Sequence, residues 1–366
     1  MPFAGDILRE GECFLNVRWR LREATSWAES GFVIARDQLF LGGCFKGTLK
    51  GTGGVNVEET LDGAVFSGER IRAEFSRRTG ALSRLVLDGV LVLSDAAGMV
   101  SGPRLTTMRA FTDNDIWLRR GTTKQDTPDR AYTTYGLTQP TYHARPFRIV
   151  RNGDGSVTLV ATVRVNGRKS AGFDQESIWT FHGDGVVELV ESVVPFGTMP
   201  LALPRLGTSW KLDETLENVE WYGRGPSENY VDRRTGSPIG RYQSTVTGFY
   251  EEYIRPQDNG YRGDVRWVAF TRDDGKGIRF VFETPMFVQA LHYDWQDQEF
   301  ARHRKGQDRI WNVKPPRKEV CLNLDLRQLG LGGASCGPMP MEEYKFPIQS
   351  EKWKITFAPV AIGFDF

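Results

Sequence analysis

An alternation of apolar and polar residues with a period of two runs through much of the chain and limits the folds that it can adopt. In the segment 13–20 the odd positions carry Cys, Leu, Val and Trp, with Asn16, Arg18 and Arg20 between them. Successive side chains of a β-strand point to opposite faces, so this pattern predicts half-buried strands. The same alternation returns in the segments 71–76, 156–165, 186–194, 277–282 and 320–326.

Turn-forming sequences separate these segments. The stretches 151–156 (RNGDGS), 182–185 (HGDG) and 272–277 (RDDGKG) combine Gly, which adopts positive φ without strain, with Asn or Asp, which bond their own backbone. Each of them predicts a β-hairpin. The best candidate for a helix is one short segment, Asp297–Arg304. The sequence therefore predicts a mainly β fold, most simply a large antiparallel β-sandwich.

The charge balance excludes several classes of partner. Lys and Arg number 47 and Asp and Glu number 46, so no net field attracts nucleic acid or an anionic membrane. No stretch approaches the roughly 20 apolar residues that cross a bilayer. The four Cys and four His residues lack the spacing of a disulfide scaffold or a metal site. We therefore expect a cytoplasmic protein with no nucleic-acid partner, no membrane partner and no metal of its own.

Glycine content suggests how the chain is divided. The segment 42–56 is rich in Gly and poor in residues that pack, which is typical of a linker. The residues before it are too few to bury a core, so we expect another unit or the main body to cover them. We predict three parts: remnant strands at 1–45, a linker at 46–60 and a large β domain at 61–366. A polar stretch at 119–136 is predicted to be a long loop.

Four polar stretches are candidates for a functional site, and the first contains Asp113, Asn114 and Asp115. An extended backbone would place both carboxylates on one face, where two acids hold a cation or a sugar hydroxyl. The alternative is a local turn in which side chains bond nearby backbone N–H groups. An EF-hand is excluded, because Leu118 stands where that loop requires Gly.

The second stretch, 220–242, crowds polar side chains onto a backbone that Gly and Pro make irregular. Such density predicts a built loop, either a binding surface or a buried network of salt bridges and hydrogen bonds that ties loops together. It is not a dinucleotide-binding fingerprint, because the third Gly and a following helix are absent from the pattern. The candidate residues of this stretch are Arg224, Glu228, Asn229, Tyr230, Asp232 and Arg233.

The third and fourth stretches add aromatic and Gly-rich segments. The third, 253–267, sets Asp258 and Asn259 in a turn between aromatic and Arg side chains. Aromatic rings and planar guanidinium groups stack on sugar rings or on one another. The fourth, 327–344, is a Gly-rich turn that carries Cys336. A nucleophilic Cys needs a nearby base and the sequence identifies none, so catalysis by Cys336 is disfavoured.

In this order the four stretches resemble the C-terminal portion of the glycoside hydrolase family 2 β-galactosidases. The matching motifs are RAFTDNDI, WYGRGPSENYVDRR, RPQDNGYR and GLGGASCGP, and the resemblance runs from about residue 15 to the end. It implies a large β-supersandwich, related to galactose mutarotase-like sandwiches, from about residue 60 onward. It also implies that 1–45 are the terminal strands of an immunoglobulin-like sandwich domain.

The resemblance implies an absence as well. In the family the two catalytic Glu residues and the metal ligands lie in a (β/α)8 barrel, and retaining hydrolysis needs two carboxyls about 5–5.5 Å apart. This sequence shows no alternation of strands and helices that could build such a barrel. We therefore expect no catalytic residue and no cofactor in this chain, with Mg or Na carried by the barrel.

The C-terminal domain of the family closes one side of the sugar pocket, with the loop after D-N-D and with the Gly-Gly turn. Ala334, Ser335 and Cys336 stand where some relatives place a sugar-stacking Trp, so stacking on that side is not expected. In addition, 110–111 read Ala-Phe in place of the usual Ala-Pro, and Asp258 replaces a Glu. We therefore expect a substrate choice that differs from lactose. The resemblance assigns the pocket to these two motifs. Together with neighbouring positions they give the pocket candidates Asp113, Asn114, Asp115, Trp117, Gly332, Gly333 and Cys336.

These expectations lead to one hypothesis and two alternatives. The hypothesis is a small subunit or C-terminal part of a β-galactosidase-like hydrolase, which completes the pocket of a separate barrel-bearing chain and is inactive alone. Its partners are that chain or further copies of itself, and a β-galactoside. The first alternative is a free-standing carbohydrate-binding or scaffolding module without hydrolase activity. The second is a self-contained mutarotase or lyase that uses acids such as Asp115 and Glu228.

Overall fold

The computed structural model describes residues 11–96, 98–115, 135–168, 170–200, 202–302 and 313–363 of the chain. In these ranges the regular structure is almost entirely β-strand, as the alternation predicts. The strands are β1 (Cys13–Arg20), β2 (Val33–Gly42), β3 (Asn56–Glu59), β4 (Gly63–Ser67), β5 (Ile71–Ser76), β6 (Ala81–Leu87), β7 (Val90–Ser94), β8 (Arg104–Thr106), β9 (Thr141–Ala144), β10 (Arg148–Arg151), β11 (Val157–Asn166), β12 (Gly172–Phe181), β13 (Val187–Phe196), β14 (Arg205–Leu212), β15 (Asn218–Arg224), β16 (Ile239–Thr245), β17 (Arg262–Thr271), β18 (Gly277–Leu291), β19 (Val320–Gln328) and β20 (Glu351–Pro359).

Within the described residues these strands form three antiparallel sheets. β1 and β2 pair with each other as a separate hairpin, and β3 to β7 follow one another in a 5-stranded sheet. The 13-stranded sheet has the main order β10-β11-β12-β13-β20-β18-β17-β15-β16, with β8, β9, β14 and β19 beside this path. The three turns that the sequence predicts are confirmed as the hairpins β10–β11, β12–β13 and β17–β18.

The large sheet curls back on itself. Trp179 on β12 and Trp210 on β14 are connected through β13, β20, β18 and β19. In a flat sheet these five steps would separate the two side chains by about 24 Å, at roughly 4.8 Å per strand. Their ring centroids are 6.3 Å apart, and both rings contact Phe357 on β20. The curl therefore encloses an aromatic core and brings together loops that are far apart in sequence.

The 5-stranded sheet packs on the large sheet. Phe66 of β4 stacks on Phe181 of β12 with ring centroids 4.2 Å apart, and Phe75 of β5 meets Trp179 edge to face at 6.1 Å. These rings belong to one buried cluster that spans both sheets. Burial of apolar surface at about 25 cal/mol per Å² is the main stabilising contribution to such a core. The prediction of a mainly β, antiparallel supersandwich is confirmed.

One strand departs from the half-buried pattern. The alternation in 320–326 predicts a solvent-facing side that carries Asn323 and Asp325, but both are buried because β19 is covered on both faces. One polar atom of each side chain is paired inside the protein. Asn323 Nδ2 donates to Gln289 Oε1 at 2.8 Å, and the Tyr261 hydroxyl donates to Asp325 Oδ2 at 2.6 Å.

The Gly-rich segment is packed against the large sheet. A Cβ at Gly51 would come within 2.2 Å of the His182 ring, so this close approach requires glycine. Thr52 N–H donates to Asp184 Oδ2 at 2.8 Å, in the turn between β12 and β13. The predicted linker 46–60 also contains β3, which pairs with β4, so its boundary lies inside the 5-stranded sheet. The division into three domains stays a prediction.

The predicted short helix is present as α1, Trp295–Arg302, and begins two residues before the predicted start. Asp297 in its first turn accepts two hydrogen bonds from Arg317, at 2.6 and 3.1 Å. His303, Arg304 and most of the predicted loop 119–136 lie outside the described residues. No helix of the described chain is long and apolar enough to cross a membrane.

Candidate functional site

The D-N-D stretch forms a tight turn instead of the extended backbone considered from the sequence. Asp113–Asp115 are a 3-10 helix that follows β8. Asp115 accepts the backbone N–H of Thr112 at 2.9 Å, which is the local turn that the sequence left open. Arg255 donates to Asp113 at 3.0 Å near the surface. The two carboxylates therefore have different partners and do not form a paired acidic site.

Behind this turn lies a buried ion pair. Arg109 donates to both Asp115 oxygens, at 3.0 and 2.7 Å, and both side chains have 0% exposure. Arg109 also donates to the Leu329 carbonyl at 3.0 Å. Burial acts to lower the pKa of Arg109, but the Asp115 carboxylate outweighs this effect and the pKa is raised. Asp115 therefore holds the turn in place and is shielded from a sugar.

Asn114 connects the D-N-D turn to the Gly-Gly turn. Its Nδ2 donates to the Gly332 carbonyl at 2.9 Å, across a separation of 218 residues. Its Oδ1 accepts the Ser335 N–H at 3.1 Å. We call Asp113–Asp115 and Gly332–Cys336 the rim loops. The structure thus brings together the D-N-D and Gly-Gly motifs, which the resemblance assigns to the sugar pocket.

The second stretch fixes the Gly-Gly turn. Asp232 accepts the N–H groups of Leu331 and Gly332 at 2.9 and 2.8 Å, and Arg233 donates to the Gly332 carbonyl at 2.6 Å. Gly332 has a φ of +62°, and a Cβ there would lie 2.5 Å from the backbone nitrogen of Pro340. The turn therefore requires glycine at this position.

Gly332→Ala is expected to destabilise the chain by about 1–3 kcal/mol, because the new Cβ meets backbone and the residue keeps a left-handed conformation. Gly333→Ala is the matched control, since its Cβ would meet no atom closer than 3.6 Å. We expect that variant to stay within about 0.5 kcal/mol of the parent chain. Urea unfolding of both variants measures the difference. Equal stabilities of the two variants would contradict the requirement for glycine.

Tyr230 and Asp258 are buried behind the rim loops. The Tyr230 hydroxyl donates to Asp258 Oδ2 at 3.0 Å, and Gln289 donates to Asp258 Oδ1 at 3.0 Å. Burial raises the pKa of Asp258 to about 7, against the opposing effect of Arg109 and Arg205. Burial also raises the pKa of Tyr230 well above its usual value. Asp258 therefore bonds within the interior, where solvent and ligands do not reach it.

The remaining candidates of the second and third stretches form the buried or half-buried network that the sequence left as an alternative. Arg262 stacks on a ring of the protein itself, 4.3 Å from the centroid of Phe249. Loop-to-loop hydrogen bonds account for the polar side chains. These bonds run from the Gly260 N–H to Glu228, the Gly263 N–H to Asn229, the Glu251 N–H to Asn259 and the Arg224 guanidinium to Asp264.

A buried charged cluster escaped the sequence reasoning. Arg205 donates to the Tyr261 oxygen at 2.7 Å, and the Tyr261 hydroxyl donates in turn to Asp325. Burial raises the pKa of Asp325 to about 6, although Arg205 opposes the change. Arg205 and Asp325 lie on strands, and the signal that could have found them is a charged residue inside an apolar strand segment.

The described acids of the candidate motifs are engaged in bonds within the protein. Asp113, Asp115, Asp232 and Asp258 each bond a neighbouring loop or side chain. Among the described residues no group of three or more His, Cys, Asp or Glu side chains is placed to hold a metal ion. Trp117, a pocket candidate, lies outside the described residues. In the rim loops Asn114 and Gly333 are half-buried, and Ser335 and Cys336 are exposed.

Comparison with known proteins covers nearly the whole chain. A family model for the beta galactosidase small chain matches residues 67–358, and a model for domain 4 of beta-galactosidase matches residues 1–42. The beta-galactosidase of Priestia megaterium is 26% identical over 324 residues, which are 88% of this chain and 29% of that protein. The beta-galactosidase of Arthrobacter sp. is 27% identical over 349 residues, which are 90% of this chain and 31% of that protein.

The chain thus spans less than a third of the length of these two relatives. Among solved structures, a galactose 1-epimerase from Lactobacillus acidophilus aligns with a TM-score of 0.41 and 9% identity, over 85% of this chain and 99% of that chain. The small-chain model accounts for most of the sequence, including the strands that carry both rim loops. The protein therefore belongs to the β-galactosidase small-chain family.

Proposed function

We propose that this chain is the small-chain component of a β-galactosidase-like glycoside hydrolase and completes the sugar pocket of a separate barrel-bearing chain. The observation that carries the proposal is the small-chain match over residues 67–358 in a chain that covers 29% and 31% of two whole β-galactosidases. The catalytic carboxylates and any bound Mg or Na belong, on this proposal, to the barrel. The chain alone then has no hydrolase activity.

The β1–β2 hairpin supplies a docking surface for such a partner. Trp19, Trp27, Phe32 and Leu39 are each about half exposed or more, at 51%, 63%, 49% and 49%. An isolated two-stranded hairpin does not bury a core, and a cluster of exposed aromatic side chains favours association. Because residues 1–42 match a β-galactosidase sandwich domain, we propose that strands of that domain, carried by the barrel-bearing chain, cover this surface.

Polar contacts hold the hairpin against the large sheet. Arg266 on β17 donates to both carboxylate oxygens of Glu12, at 2.8 and 2.5 Å. Gln38 on β2 exchanges two hydrogen bonds with the backbone of Ile239, at 2.8 and 2.7 Å. These bonds lie on the face of the hairpin that carries Gln38. Trp19 and Leu39 lie on the opposite face, which points away from the large sheet. A preorganised surface of this kind lowers the entropic cost of association.

The rim loops are the part of the chain that we propose to face the sugar. Asn114 lies at the junction of both loops and is partly exposed. Apolar side chains surround these loops, with Ile254 exposed by 77% and Met341 by 61%. Ile254 precedes Arg255, the partner of Asp113, and Met341 follows Pro340, which packs on Gly332. This surface is suited to contact with the barrel around a shared pocket.

Reconstitution tests the proposal. We expect the purified chain to leave nitrophenyl β-galactoside unhydrolysed, and we expect addition of a barrel-bearing chain of the family, with Mg and Na present, to give turnover that neither chain has alone. Turnover by the pure chain, or no turnover and no complex in the mixture, would contradict the proposal.

A charge placed on the hairpin tests the docking surface. Leu39→Asp is expected to weaken association with the barrel-bearing chain at least about tenfold, because it buries an unpaired carboxylate in an apolar contact. Leu61→Asp is the matched control, since Leu61 is 97% exposed and lies outside the hairpin. Both sites are exposed in the free chain, so both variants should fold. Equal effects on the measured Kd would rule out docking through the hairpin.

A further inference from the structure

A cavity of about 280 Å³ lies between β8, the turn at 135–140 and the start of α1, and no rim-loop residue is among the described residues that line it. None of the described residues that line it is charged, although a quarter of the residues in the chain carry charge. Apolar side chains form about half of the described lining, namely Leu105, Met108, Leu137, Pro140, Val165 and Phe173. Hydroxyl and amide groups and two further aromatic rings complete it, among them Thr106, Gln139, Tyr142, Trp295 and Gln296.

The aromatic walls of the cavity are held in place. The Tyr142 hydroxyl donates to the Leu105 carbonyl at 2.9 Å, and the Arg104 guanidinium lies 4.3 Å from the centre of the Tyr142 ring. Trp295 is partly buried and packs on the main core. The residue before it, Asp294, accepts a hydrogen bond of 2.6 Å from Lys211. Both rings are therefore fixed before any ligand arrives, which reduces the cost of binding.

The polar groups of the cavity both donate and accept hydrogen bonds. Thr hydroxyls and Gln amides offer donors and acceptors on the same side chain. The Thr106 hydroxyl is held in place, because the buried Arg205 donates to its oxygen at 3.1 Å. Gln139 and Gln296 lie at the solvent-exposed edge. A ligand with several neutral hydroxyl groups matches these polar groups, and none of the described lining residues carries a charge that would pair with an anion.

We propose that this cavity binds a single neutral sugar ring, with its C–H face against Trp295 and its hydroxyl groups on the Thr and Gln side chains. Ligand pockets commonly measure about 300–1,000 Å³, so a volume of 280 Å³ accommodates one ring rather than an oligosaccharide. This site is separate from the rim loops and needs no partner chain. If no sugar binds in this cavity, the proposed assembly with a barrel-bearing chain still stands. If that assembly does not form, the proposed sugar site still stands.

Saturation-transfer NMR of the isolated chain with methyl β-galactoside tests the proposal. For a ring of this size we expect saturable binding with a Kd on the order of 1 mM. Trp295→Ala should raise the Kd at least about tenfold, and Trp295→Phe, which keeps an aromatic face, should stay within about threefold of the parent chain. Trp27→Ala on the hairpin is the matched control and should not change the Kd.

The charge preference gives a second readout. Galacturonate has the same ring with a carboxylate, and we expect it to bind at least about tenfold more weakly than methyl β-galactoside. The ratio of the two Kd values is measured on the parent chain, so it does not depend on the stability of the Trp295 variants. Three results would overturn the proposal: no saturation up to about 100 mM sugar, unchanged binding in Trp295→Ala, or galacturonate binding as tightly as the neutral sugar.

Discussion

Replacement of Arg109 by Met is expected to lower the free energy of unfolding by about 3–5 kcal/mol, because Asp115 would remain buried without its counter-charge. The substitution also removes the hydrogen bond to the Leu329 carbonyl, which connects the segment before the D-N-D turn to the end of β19. Both effects loosen the base of the rim loops. We therefore expect the reconstituted enzyme to lose turnover together with stability.

Two further variants separate the charge from the packing. Arg109→Met combined with Asp115→Asn removes both charges and keeps an acceptor for the Thr112 N–H, so it should recover about 2 kcal/mol of the loss. Arg72→Met is the surface control, since Arg72 and Glu74 lie 3.6 Å apart with side chains 56% and 35% exposed. We expect it to cost less than about 1 kcal/mol. A double variant as unstable as the single one would contradict the buried-charge argument.

The stability of the chain is expected to fall as the pH rises from 5 to 8, and Glu191 on β13 is one cause. This carboxyl has 0% exposure and accepts hydrogen bonds from Gln175 and Ser177 at 2.9 and 2.7 Å. Burial raises its pKa from 4.5 to about 7, and these two hydrogen bonds only partly oppose the change. The folded chain therefore keeps a proton that the unfolded chain releases, and folding becomes less favourable with increasing pH.

Glu191→Gln removes this dependence, because an amide does not titrate. From the two pKa values we expect the parent chain to lose about 2.5 kcal/mol more stability than Glu191→Gln between pH 5 and pH 8. Glu188→Gln is the matched control on the same strand. His182, whose Nε2 lies 3.5 Å from Glu188 Oε1, and the paired Lys354 act against burial and lower the pKa of Glu188 to about 2, below this pH window. Parallel pH profiles for the parent chain and Glu191→Gln would contradict the prediction.

Local sequence pattern predicted the strands and hairpins because their causes are local. The alternation around Val187 and Leu189 places Glu191 on the same inward face, and the structure buries all three side chains. Gly-containing turns such as 272–277 specify their own backbone. The pattern was wrong for β19, because other parts of the protein cover both faces of this strand. Those parts, rather than the strand's own sequence, decide that burial.

The candidate site was only partly predictable for the same reason. The motifs identified the residues, but the bonds from Asn114 to Gly332 and from Arg109 to Leu329 exist because β8 and β19 both pair with β14 and end near its start. Residue spacing gives no sign of that pairing. The extended reading of D-N-D failed because Asp115 bonds the buried Arg109, a partner that the sequence reasoning did not consider. The Gly-rich segment at 46–60 was similarly predicted as a linker, since its contact with His182 depends on another part of the fold.

The position of β20 affects the order in which the chain is made on the ribosome. This strand is synthesised after every other described strand, yet it lies between β13 and β18 in the large sheet. The edge of β13 that pairs with β20 therefore stays unpaired while more than 150 residues are translated. At about 5–20 residues per second this interval is roughly 8–30 s. During that time an unpaired, apolar strand edge is exposed, so we expect the nascent chain to depend on chaperone protection until translation reaches Glu351.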